Sequence, residues 1–170
     1  MSEKTDNESV NMPNIPTWPT KLSEETGKSI GCAYREAERF CYQHAGLAHI
    51  LIGVMDAEDK RTKSLFEKLG IDAKKFTKDI EGKIRQHYKE QEIPPKFQIS
   101  EALVAAFEAA ERYSGLLGSQ KIMPEHLVYA VSEVLEGKKI ALKPEETDAC
   151  GILKAYNLSS NRINDTITAQ

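Results

Sequence analysis

The sequence predicts an all-α fold of eight helices, arranged as two pseudo-symmetric four-helix repeats that share one core. Three internal echoes carry this prediction. Leu47-Ala-His-Ile-Leu-Ile-Gly-Val-Met55 returns as Met123-Pro-Glu-His-Leu-Val-Tyr-Ala-Val131, which sets His49 against His126 at a shift of 77. Ala33-Tyr-Arg-Glu-Ala-Glu-Arg-Phe40 reads against Ala106-Phe-Glu-Ala-Ala-Glu-Arg-Tyr113 at a shift of 73, and Leu65-Phe-Glu-Lys-Leu-Gly-Ile-Asp72 against Ile152-Leu-Lys-Ala-Tyr-Asn-Leu-Ser159 at 87. These registers give the second copy four more residues before its His helix and ten more after it.

A chain of 170 residues with 40% hydrophobic residues can bury a core, whereas a lone unit of about 70 residues could scarcely cover its own amphipathic faces. The net charge of −3 offers no basic surplus for neutralising phosphates, so no nucleic-acid partner is expected. No apolar run approaches the roughly 18 residues of a membrane span, and no membrane association is expected. The polar, acidic N-terminus lacks an apolar signal core, and the odd set Cys32, Cys41 and Cys150 reads as free thiols in a reduced, cytoplasmic setting.

Taken in order, residues 1–21 form a flexible, Pro-rich arm with Pro13, Pro16 and Pro19. Trp18 either pins this arm to the domain or is exposed within it. Residues 22–170 form the domain, with repeat one over about 22–88, a linker over 89–99 and repeat two over about 100–170. The first helix is expected from Ser23 to His44, where Ile30, Ala33, Tyr34, Ala37, Phe40, Cys41 and His44 recur at spacings of three and four. The second runs from about Ala48 to Ala57 and the third from about Thr62 to Leu69. Gly70 then supplies a left-handed stop and Asp72 an N-cap, while Ile71 staples against Phe76 on a fourth helix ending near Tyr88.

Pro94-Pro95 breaks the chain between the copies. The fifth helix follows Ser100, with Leu103, Ala106, Phe107, Ala110, Ser114 and Leu117 on one face. The sixth starts after Pro124, the seventh after Pro144 and the eighth after Ser159. Asn157 stands for Gly70 at the stop and Ser159 for Asp72 at the cap, while Leu158 with Ile163 stands for Ile71 with Phe76. Agreement of stop, cap and staple is stronger evidence of duplication than hydrophobic letters alone. Gly137 to Pro144 is read as a surface loop or a short extended element.

Catalytic signatures are sparse. Thr26-Gly-Lys-Ser29 resembles the end of a phosphate loop, but Leu22 stands where the motif needs a glycine, and Pro-rich coil precedes it in place of a strand. There is no Gly-x-Ser-x-Gly and no His-Glu-x-x-His. No enzyme activity and no cofactor are expected. Cys41, His44 and His49 are close in sequence but lack a second pair for structural zinc, and a buried cysteine with hydrogen-bonded histidines is the favoured reading. His49 and His126 are expected to tie down matching helix starts. Glu125, an acid in a first turn, suits the helix dipole and is also placed to meet a cationic ligand. Lys74, Lys75, Lys78 and Lys83 read by default as a solvated face, with a docking surface for an acidic partner as the minority reading.

The paired Ala-aromatic-x-x-Ala-Glu-Arg helices, Glu125-His126-Leu127, Ala48-His49-Ile50 and Leu69-Gly70-Ile71-Asp72 together resemble the Clp N-terminal domain, over roughly Leu22 to Ala169. This doubled four-helix module precedes the ATPase rings of ClpB- and ClpC-type AAA+ unfoldases. The resemblance implies a non-catalytic module that receives unfolded or aggregated proteins, or adaptor proteins, for a AAA+ ring in cis or in trans. It also implies recognition by a glutamate at a helix start, which in some ClpC-type members helps to bind phosphoarginine.

That role carries over to Glu125, with His126, Ser119 and Lys121 as the surrounding partner-binding set. The first-copy position is Ala48, so binding is expected at one site per chain. Pro124 and Leu47 stand where many members have a small hydroxyl residue, and the arm and the 137–144 connection are further departures. With no ATPase motif, the chain is read as the front piece of a larger unfoldase or a stand-alone relative, monomeric by itself. The alternative of another class is a small-ligand or metal-binding regulator using Cys41, His44 and His49.

Overall fold

The computed structural model describes residues 16–40, 42, 44–86, 98–137 and 139–169. Both long helices begin on a serine. Ser23 Oγ accepts the Thr26 N–H at 3.1 Å and Ser100 Oγ accepts the Leu103 N–H at 3.0 Å, satisfying donors that a first turn leaves open. From these caps run α1 (Glu24–Arg39) and α5 (Glu101–Leu116), each of 16 residues. Repeat one continues with α2 (Leu47–Asp56), α3 (Lys60–Leu69) and α4 (Ala73–Gln86), and repeat two with α6 (Pro124–Gly137), α7 (Pro144–Ala155) and α8 (Ser160–Thr168). The fold is all-α, with two short strands, β1 (His44–Ala45) and β2 (Gln98–Ile99), paired in parallel.

The matching caps correct the internal register. Ser23 and Ser100 are 77 residues apart, the same shift as the histidines, and the helices they open are of equal length. The match at 73 is one helical turn out, and there are no four extra residues before the second His helix. A slip of four residues is close to the 3.6-residue turn and keeps the same face inward, so hydrophobic letters cannot detect it.

The first helix also stops earlier than its period implies. It closes at Arg39, and His44 lies in β1, because the chain must turn to lay His44–Ala45 along Gln98–Ile99. The ten-residue excess is taken up mostly as helix. Gly137 ends α6 and Pro144 opens α7, and between them Ile140 and Leu142 pack against the core. Cys41, the end of helix four near Tyr88 and the linker to residue 97 lie outside the described residues.

Stops and caps repeat as the letters predict. Gly70 takes φ 72° and Asn157 φ 55°, the left-handed conformation that ends a helix. Asp72 Oδ1 accepts the Lys74 and Lys75 N–H groups at 3.0 and 3.3 Å, and Ser159 Oγ accepts the Arg162 N–H at 3.1 Å.

The repeats are interleaved. The third helix of each packs largely on the other: α3 lies on α6 and α8, and α7 on α2 and α4. The entries to the helices cross in the same way. Ser100 N–H donates to Ala45 O at 2.8 Å, and Ser23 N–H to Ile122 O at 3.1 Å beside a parallel bridge between Leu22 and Ile122. One apolar core therefore runs through both halves, with Ile50, Phe66, Phe76, Phe107, Leu127 and Ile163 all buried. Burial of such side chains is the main favourable term in folding.

Gly53 lets α1 and α2 approach closely, since a Cβ there would stand 2.1 Å from Ser29 O. The last part of the arm is held on the domain. Trp18–Lys21 forms a 3-10 turn, Trp18 stacks on Phe107 with centroids 4.2 Å apart, and Lys21 pairs with Glu111 at 3.0 Å. Residues 1–15 of the arm lie outside the described residues. No described helix is long and apolar enough to cross a membrane.

Candidate functional site

Each His helix opens in the same way. His49 Nδ1 accepts the Gly46 N–H at 3.0 Å, and His126 Nδ1 accepts the Met123 N–H at 2.9 Å. Each imidazole reaches back from the third helical position to the residue before the helix, the half of a capping box usually filled by Glu or Gln. The bond requires the neutral ring, and burial pushes both histidines down to about 4. His126 is thus a structural residue of the predicted site, with Tyr113 edge-on to its ring.

The two helix starts differ in who supplies the acid. At α2 the chain offers only Gly46, Leu47 and Ala48, and α7 of the other repeat delivers Glu146. Its Oε2 accepts the Leu47 N–H at 3.0 Å and the Ser100 hydroxyl at 2.7 Å, while Oε1 accepts the Lys143 N–H at 2.8 Å. A Cβ on Gly46 would stand 2.9 Å from Glu146 Oε2, so the glycine makes room for the carboxylate. This start is filled from within.

At α6 the acid is on the helix itself. Glu125 sits in the first turn with only 11% of its side chain exposed, and α3 of the other repeat brings Arg61 to it, Nη1 to Oε1, at 3.5 Å. Burial raises the Glu125 pKa, and the Arg61 charge opposes that rise. The pseudo-symmetric starts are therefore charge-inverted. The neighbouring third helix gives a carboxylate to one and a guanidinium to the other.

Of the other predicted site residues, Ser119 donates its hydroxyl to Lys121 O at 2.6 Å, in the turn that leads to α6. Lys121 itself is exposed. The structure joins these two to each other and His126 to Met123. It joins Glu125 to Arg61, which the sequence did not single out.

The histidines of the metal alternative have other work. His44 Nε2 meets Glu145 Oε1 at 3.2 Å, His49 holds Gly46, and among the described residues no group of three His, Cys, Asp or Glu could hold a metal ion. Glu145 is held below the usual carboxylate range, its burial outweighed by the His44 bond and its own backbone.

Arg61 and Glu146 were missed because both act across the repeats. The pattern Lys143-Pro144-Glu-Glu146, with Pro first and Glu third, marks Glu146 as a helix-start acceptor. Nothing in it points to Leu47. Arg61 looks like any charge on a solvated face.

With the geometry in place, comparison with known proteins is direct. Residues 21–144 match the family model described as the Clp repeat (R) N-terminal domain. The chain belongs to this family. Solved Clp-type N-domains superpose on most of it. The N-terminal domain of the ClpV1 ATPase from E. coli aligns over 99% of this chain and 93% of that one, at 14% identity and a TM-score of 0.67. The Hsp104 N-terminal domain from Candida albicans aligns over 86% and 88%, at 15% identity and 0.65. That of ClpD from Arabidopsis thaliana aligns over 88% and 96%, at 18% and 0.61. At these identities the likeness is one of fold. The eight-helix arrangement of this Clp repeat domain is that of N-domains found on AAA+ chaperones.

Proposed function

We propose that this Clp repeat domain is a non-catalytic protein-binding module that receives unfolded substrates or an adaptor protein for a Clp-type AAA+ ring, and that the partner is received at the start of α6. Family membership supports the module. The placement of Glu125 supports the site, because a carboxylate with 11% exposure at a helix start, paired among the described residues with a largely exposed arginine, is suited to a guest cation. Glu125 is the contact residue, Ser119 and Lys121 flank it on the approach to the helix, and His126 fixes the start from beneath. The matching start at α2 is closed by Glu146, so one guest binds per chain.

A charge-assisted hydrogen bond contributes roughly 1.5–3 kcal/mol, on the order of ten- to a hundredfold in affinity. The test is to titrate an arginine-bearing peptide, with and without phosphorylation of the arginine, while following backbone amide shifts in the wild type and in Glu125→Ala. Shifts gathered around residues 119–126, and affinity lost in the variant, are the expected result. Equal shifts around Ala48, or an unchanged affinity, would refute the site.

A further inference from the structure

The contact over Glu125 is unequal. Glu125 is buried at the helix start, with 11% of its side chain exposed, whereas the Arg61 side chain is 61% exposed. They meet through a single nitrogen and a single oxygen at 3.5 Å, long for a charge-assisted bond, which closes to about 2.7–2.9 Å when well formed. No second bond from the Arg61 guanidinium is found among the described residues. Its backbone does not share this looseness. α3 is anchored by buried Thr62, Leu65, Phe66 and Leu69, and Asp59 is committed to the helix cap by accepting the Thr62 N–H at 3.1 Å. A buried acid thus faces a base that is tethered at its root and largely exposed at its tip.

We propose that Arg61 is a resident competitor for the Glu125 site: its guanidinium occupies the place of a guest cation and swings into solvent when an arginine-bearing ligand enters. This rests on the reading of Glu125 as the contact residue. A guest guanidinium can offer two parallel N–H groups to the carboxylate where Arg61 offers one, and so displaces it. A lysine ammonium cannot form that fork. The site therefore selects arginine over lysine, and Arg61 sets the threshold.

The experiment compares an arginine-bearing peptide with its lysine counterpart by calorimetric titration into wild type, Arg61→Gln, Glu125→Gln and the double variant. Arg61 is exposed, and its replacement leaves the fold intact. Arg61 is largely exposed and meets Glu125 through one long contact, so the pair is weak and Arg61→Gln is expected to tighten the arginine peptide roughly two- to fivefold. The lysine peptide, weaker throughout, should gain by the same factor, because a resident competitor lowers the apparent affinity of every guest equally, and both gains should vanish when Glu125 is Gln. If the wild type binds and Arg61→Gln binds equally or more weakly, Arg61 is not a competitor, and the Glu125 site stands without it. If neither protein binds, both readings fall.

Discussion

Glu146 accepts the Leu47 N–H at 3.0 Å across 99 residues, so the first helical turn after Gly46 is capped by a carboxylate of the opposite repeat. The same side chain holds the Ser100 hydroxyl and its own cap residue, Lys143. A fully buried charge is tolerable because each oxygen is met by a donor and a helix N-terminus faces it. Replacing Glu146 by Ala strands three donors, and a loss on the order of 3–5 kcal/mol is expected. Glu146→Gln, whose amide must turn a donor toward another donor, should recover only part of it. Chemical denaturation of the three proteins checks this.

Gly53 gives a second test of how the helices are assembled. In an exposed helix interior, Gly→Ala normally stabilises by up to about 1 kcal/mol, and Gly82, with nothing near its absent Cβ, should behave so. At Gly53 the added methyl meets Ser29 O and Ala33 N, forcing α1 and α2 apart. Gly53→Ala is expected to cost roughly 2–4 kcal/mol. Opposite signs for the two substitutions in one thermal series are the prediction.

The paired histidines predict a pH dependence. Both are neutral in the fold and, through burial, pushed down to about 4 from 6.5, so the unfolded chain binds more protons between those values. Their contribution to stability is complete above about pH 6.5 and is lost as pH falls toward 4. Glu36, Asp56 and Glu125, raised by burial, act in the opposite direction, so the wild-type profile alone is mixed. His126→Gln keeps an acceptor for the Met123 N–H but cannot titrate. Urea midpoints from pH 7 to pH 4 should fall less in this variant, by roughly 2 kcal/mol of stability.

Trp18 anchors the arm by stacking on Phe107, yet its buried indole N–H has no partner among the described residues. Trp18→Ala should cost about 1–2 kcal/mol. Trp18→Phe keeps an aromatic face and removes the unmet donor, so it should cost less than half as much. Equal losses in the two variants would mean that the stack is not what holds the arm.

The sequence by itself determined what is local or periodic. Gly70 and Asn157 as left-handed stops, Asp72 and Ser159 as caps, and the apolar faces of the long helices all follow from residue chemistry within a turn or two. The duplication followed from their recurrence, as did the likeness to Clp N-domains. Local signals fail where a shift preserves the pattern, which is why a one-turn slip between α1 and α5 was invisible until two serine caps fixed the register. They fail also where a partner lies far along the chain. That α3 and α7 cross to the opposite repeat is decided by which faces bury together, and only this packing sets Arg61 over Glu125 and Glu146 under Leu47. The asymmetry of the candidate site is thus half legible: Ala48 against Glu125 can be read from the letters, but the filling of one start by an acid and the covering of the other by an arginine belong to the tertiary structure.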